Sequence, residues 1–153
     1  MGPCLGTVEP VRPPAYTRPM TVDELRRLHD VFARYPEVAG VWLFGSHGRG
    51  TARADSDVDL AVDPATPDAR ARKLDLLTDL VGAGFEDVDL VVLDRDDPVL
   101  RWEAIGPNRL VYGAPGYDAG AAFAWALRQY DDTAPLRAIQ REAYYARWLR
   151  DDG

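Results

Sequence analysis

The sequence predicts an α/β fold, and three observations carry that reading. Two apolar runs, Val41-Trp42-Leu43-Phe44 and residues 88–93, have the length of buried strands. A third run, residues 57–62, alternates acidic and apolar side chains with the period of two that belongs to a strand. Between these runs lie stretches whose apolar residues recur every three or four positions: Leu25, Leu28 and Phe32 in one, Leu74, Leu77, Leu80 and Val81 in another.

Taken in order, residues 1–20 hold a Pro-rich stretch without periodicity and read as a flexible N-terminal segment. Residues 21–153 are expected to form a single domain that includes the C-terminal helices, as the length of 153 residues suggests. Thr21 opens the first helix as an N-cap, with Glu24 three positions on as in a capping box, and Pro36 closes it. The first strand, Val41 to Phe44, runs into Gly45. Residues 46–54 should turn and form a short helix, and residues 57–62 form the second strand. A helix over 67–81 ends at Gly82 and Gly84, and 88–93 is the third strand. A short helix over 98–105 and an extended segment over 109–112 follow. Residues 118–150 read as helical with a break near Pro135. Phe123, Leu127 and Tyr130 share a face before that break, and Leu136, Ile139, Ala143 and Tyr144 share one after it.

Composition narrows the function classes. The formal net charge is -7, and the 18 basic residues form no dense cluster, so direct binding to a long nucleic acid is not expected. A small phosphorylated ligand remains compatible, because a bound metal ion can supply the positive charge. The one cysteine, Cys4, excludes a disulfide within the chain and a cysteine-based zinc site. No apolar run reaches transmembrane length and no secretory leader is visible, so a cytoplasmic protein without membrane contact is expected.

The chemistry concentrates in residues 45–60 and at Asp89. Asp57 and Asp59 lie two apart on a strand, so both project from one face while Val58, Leu60 and Val62 take the other. Such carboxylates repel unless a cation lies between them. Asp89 is an acid inside an apolar strand, where an unpaired buried carboxylate is expensive. If the third strand lies beside the second, Asp89 completes a three-carboxylate site of hard oxygen ligands, suited to Mg²⁺. Gly45-Ser46 ends a strand and leads into a predicted helix, so its N–H groups can face a phosphate. The Ser46 hydroxyl can bond a phosphate oxygen, and Arg49 or Arg53 can offset phosphate charge. Singly, each feature has a plainer reading: Gly45-Ser46 an ordinary turn, Asp57 and Asp59 a solvated strand face, Asp89 the partner of an arginine, His47 a loop residue. Their occurrence together is what asks for a shared explanation.

That combination resembles the polymerase-β-type nucleotidyltransferase superfamily: Gly-Ser after a strand, a spacer, Asp-x-Asp on the next strand and a third acid on a later one. Here these are Gly45-Ser46, a spacer of ten residues, Asp57-Val58-Asp59, and Asp89. The short length, Arg49-Gly50 and Ser56-Asp57 resemble the minimal nucleotidyltransferases that are antitoxin partners of HEPN-domain toxins. The resemblance covers roughly residues 21–112. It implies a mixed β-sheet flanked by helices, two Mg²⁺ ions and ATP as the nucleotide donor. It further implies transfer of AMP to a tyrosine hydroxyl of a HEPN RNase toxin held in a hetero-oligomer. On this basis Asp57 and Asp59 would bind both metals, Asp89 would bind the catalytic metal, and Gly45, Ser46 and Arg49 would hold the nucleotide.

Two other functions compete: a nucleotidyltransferase acting on a small molecule such as an aminoglycoside, and a non-catalytic antitoxin acting by contact. Only about 40 residues follow Tyr112, little for the extra helical domain that holds a small acceptor, which favours a protein acceptor. A contact-only module has no need of all three acids.

Overall fold

The computed structural model describes residues 20–45 and 58–151. The Pro-rich stretch before residue 20 and the turn and helix predicted at 46–54 lie outside the described residues.

Helix α1 (Val22–Phe32) starts at the expected capping box. The Glu24 N–H donates to Thr21 Oγ1 at 3.1 Å, and the Thr21 N–H donates to Glu24 Oε2 at 2.8 Å, which satisfies two donors that a helix start leaves open. Leu28 and Phe32 are fully buried as expected, and Val31 joins them. Strand β1 (Val38–Phe44) begins three residues earlier than its apolar core. Strand β2 (Val58–Pro64) follows, then a 3₁₀ helix (Pro67–Arg72), helix α2 (Lys73–Gly82) and strand β3 (Val88–Val92). Helix α3 (Pro98–Ile105), strand β4 (Leu110–Gly113), helix α4 (Ala119–Asp132) and helix α5 (Ala134–Asp151) complete the described elements.

The four strands form one mixed sheet in the order β3-β2-β1-β4. β1 pairs antiparallel with β2 and with β4, whereas β2 and β3 run parallel. A parallel pair needs a crossover, and the 3₁₀ helix with α2 supplies it. α1 and α2 cover one face of the sheet, where Leu28, Phe32, Val41, Leu43, Leu60, Val62, Leu76, Leu80 and Leu90 form the larger core. α3 and α4 cover part of the other face, where Trp42, Ala61, Leu93, Ala104, Ile105 and Ala126 are buried.

Three expectations need correction. The helix expected over 67–81 divides into a 3₁₀ helix and α2. Ala69 is the only buried residue of the 3₁₀ stretch, so no apolar stripe holds it to α-helical register. The buried face of α2 is Leu76 and Leu80; Leu74 is 74% and Val81 51% exposed. Leu80 of the expected stripe is buried and Leu77 packs against the core, but Leu76 takes the place expected of Leu74 and Val81. The third correction concerns the C-terminal helices. The break falls at Thr133, and Pro135 sits in the first turn of α5, where a missing N–H is harmless. On α4 the core contact is made by Phe123 with the small residues Ala119, Ala122 and Ala126, while Leu127 is exposed. Leu136, Ile139 and Tyr144 of α5 are exposed too.

A polar network locks α3 and the start of α4 to the sheet. Arg101 is 2% exposed and pairs with Asp63 of β2 at 3.4 Å. Tyr117 donates its hydroxyl to Asp63 at 2.7 Å and accepts from Trp42 Nε1 at 3.1 Å. The Arg101 guanidinium also lies over the Trp125 ring, 4.5 Å from its centre. Gly40 makes room for this arrangement, since a Cβ there would lie 2.5 Å from the Tyr117 ring.

Candidate active site

The site is built on the sheet face that carries Trp42, Ala61 and Val91, at the end where β1 finishes and β2 and β3 begin. Alternation puts Val58, Leu60 and Val62 into the larger core and leaves Asp59, Ala61 and Asp63 on the opposite face. The same rule on β3 sends Leu90 inward and places Asp89 and Val91 beside Asp59 and Ala61.

The parallel register then decides the geometry: Asp59 is paired with Asp89, and Ala61 with Val91. Two carboxylates thus stand at matching positions of neighbouring strands, whose backbones lie about 4.8 Å apart. Asp89 is exposed, not buried as its apolar surroundings in sequence suggested. It precedes by two positions Val91, which packs against the smaller core. None of the ion pairs among the described residues uses Asp89.

Asp63 on the same face of β2 shows the contrast. It holds Arg101 and Tyr117, so its charge is neutralised within the fold. Burial and the adjacent Asp63 charge in turn push the Tyr117 phenol well above its ordinary range. Level with Asp59 on the neighbouring strand stands a second acid, Asp89. An acid pair of this kind is electrostatically costly by itself and suits a divalent cation, which hard carboxylate oxygens favour.

Gly45 joins the acids from the end of β1. Phe44 pairs with Asp59 across β1 and β2, and the next residue, Gly45, has φ +64°. A Cβ on Gly45 would strike the Asp59 carboxylate, lying 2.9 Å from its Cγ. Glycine is therefore required both by the dihedral and by the space. The chain end of β1 and the carboxylate of β2 lie in direct contact.

Of the residues singled out from sequence, the structure brings Gly45, Asp59 and Asp89 together. Ser46, Arg49, Arg53 and Asp57 lie outside the described residues, as does His47. Among the described residues no group of three or more acids, histidines or cysteines is arranged for a metal ion; Asp59 and Asp89 make two.

One component carried no signal in the sequence. A cavity of about 490 Å³ opens beside Gly45, lined by Phe44, Gly45, Trp102, Glu103, Gly106 and Pro107. Its wall comes from α3, whose eight residues are too few to display a periodic pattern.

A family description, polymerase beta nucleotidyltransferase, matches residues 26–115 of the chain. The chain is 32% identical over 78 residues to the protein adenylyltransferase MntA of Shewanella oneidensis, a stretch covering 51% of this chain and 56% of that protein. It thus spans about half the length of this curated relative. Among solved structures, a toxin-antitoxin crystal structure with AMP-PNP superposes with a TM-score of 0.64 at 28% identity, over 78% of this chain and 98% of that one. The chain is also similar to a structure of a tri-AMPylated Shewanella oneidensis HEPN toxin in complex with an MNT antitoxin. There the TM-score is 0.55 at 27% identity, over 80% of this chain and 96% of that one.

Proposed function

This chain belongs to the polymerase beta nucleotidyltransferase family, and from that premise we propose that it is an antitoxin that transfers AMP from ATP to a tyrosine hydroxyl of a cognate HEPN RNase toxin. The observation that carries the reading is the in-register pairing of Asp59 with Asp89 next to Gly45. Similarity to a chain crystallised with AMP-PNP and to one in complex with an AMPylated HEPN toxin supports the donor and the partner.

The acceptor oxygen attacks the α-phosphorus of ATP. The bond from that phosphorus to the bridging oxygen breaks, and pyrophosphate leaves. Asp89 stands at the exposed end of the face, where an acceptor can approach, and takes the hydroxyl proton as general base. Asp57, Asp59 and Asp89 would hold two Mg²⁺ ions, and the adjacent hard oxygens of Asp59 and Asp89 fit that role. When bound, the ions stabilise charge on the α-phosphate and the departing pyrophosphate. Gly45, Ser46 and Arg49 hold the β- and γ-phosphates, with Gly45 keeping the backbone close because it carries no side chain. Residues 21–153 work as one nucleotidyltransferase domain, in the cytoplasm and in a hetero-oligomer with the toxin. No helix among the described residues is long and apolar enough to cross a membrane.

The test is co-expression with the product of the neighbouring gene, followed by intact-mass measurement of that partner. One or more AMP units added by wild type and none by Asp59→Asn is the expected result. A partner that binds unmodified would point to neutralisation by contact. A partner that neither binds nor changes mass would point to a small-molecule acceptor.

A further inference from the structure

The cavity shares Gly45 with the proposed phosphate contacts, but the rest of its lining is of a different chemical kind. One wall is the Trp102 indole, held from behind by an aromatic stack. Trp102 lies 5.7 Å from Tyr130 at 26° and 5.5 Å from Phe123 at 60°. Tyr130 is clamped by the Arg137 guanidinium 3.5 Å from its centre, and Arg137 also donates to the Tyr130 carbonyl at 2.8 Å. The indole is thus fixed by α4 and α5 before any ligand arrives. Gly106 leaves it uncovered, since a Cβ there would lie 3.1 Å from Trp102 Cε2. Glu103 is exposed at the rim and takes part in none of the ion pairs among the described residues.

A rigid aromatic wall, a carboxylate acceptor at the rim and a floor at Gly45 in contact with Asp59 suit a flat heterocycle attached to a phosphate chain. The volume of about 490 Å³ falls in the range of small-ligand pockets, roughly 300–1,000 Å³. We propose that this cavity receives the adenine ring of the donor nucleotide, with Trp102 as the stacking surface and Glu103 accepting a hydrogen bond from the 6-amino group. A carboxylate only accepts, so it rewards a base that presents an N–H there. The inference rests on the nucleotidyltransferase reading and adds to it the residues that recognise the base.

The test is calorimetric binding of three Mg²⁺ complexes to the full chain: ATP, purine riboside triphosphate, which lacks the 6-amino group, and inorganic tripolyphosphate. Wild type should bind ATP about tenfold more tightly than purine riboside triphosphate, the gain expected of a hydrogen bond to a charged group. Glu103→Ala should bring the two to equality and leave tripolyphosphate unchanged. Trp102→Leu should weaken both nucleotides, with retained tripolyphosphate binding showing that the variant is folded. If wild type does not distinguish the two nucleotides, or Glu103→Ala preserves the preference, the base lies elsewhere while the nucleotidyltransferase reading stands. If none of the three complexes binds, that reading fails and the base pocket fails with it.

Discussion

Gly45 and Asp59 are in contact across two strands, and the contact leaves no room for a side chain on Gly45. Gly45→Ala must both force alanine to φ +64° and displace the Asp59 carboxylate. Strain of this kind costs about 1 kcal/mol or more, so the variant should be modestly destabilised in urea. Transfer of AMP should fall by about 10²-fold, the loss that follows from misplacing a reacting group by about 1 Å.

The Asp59–Asp89 pair should behave as a cation site that works against the fold when empty. In chelator, Asp89→Asn should unfold at a midpoint no lower than wild type, because it removes a repulsion between adjacent strands. Mg²⁺ should raise the wild-type midpoint and leave that of Asp89→Asn where it was. Thermal unfolding with and without Mg²⁺ measures this.

Asp63 should respond in the opposite sense. Arg101→Met leaves its carboxylate without a cation in a covered site, and breaking such a pair costs about 3 kcal/mol. Tyr117→Phe removes one hydrogen bond and should cost about 1 kcal/mol. Urea titration of the two single variants and the double variant gives the coupling, and the double should lose less than the sum.

Alkaline pH should unfold the protein through two phenols. Burial and then the hydrogen bond to Asp79 push Tyr35 up to about 12, and burial with the Asp63 charge raises Tyr117 as well. In the unfolded chain both ionise near pH 10. Their contribution is therefore complete below about pH 10 and is lost as the pH climbs to about 12 and beyond. Stability measured against pH should decline over that window, and Tyr35→Phe should flatten the early part of the fall.

Much of this arrangement was legible in the residues. The alternation over 57–62 and the lone acid in 88–93 were enough to place Asp59 and Asp89 each on one face of its strand. The glycine that ends β1 was legible as a place of close approach. What spacing could not carry was the register, because nothing in the sequence says that Asp59, and not Ala61, lies beside Asp89. Which of Leu74 and Leu76 faces the core was equally open, since the residues of α1 and the sheet that bury Leu76 are distant in the chain. Trp102 and Glu103 escaped notice because their significance comes from Gly45 and Tyr130, far away in the chain, and not from any neighbour in sequence.

The parallel pairing of β2 with β3 also bears on when the protein becomes competent. An antiparallel hairpin can close its partners through a short turn, but Asp59 and Asp89 meet only after the segment between them has formed and crossed the sheet. Non-local pairings of this sort form late, after the entropy of closing the loop has been overcome. During synthesis, a ribosome-bound chain that has completed β1 and β2 still lacks half of the acid pair. A site made this way is complete only once β3 has joined the sheet, so closing the β1–β2 pair does not by itself assemble it.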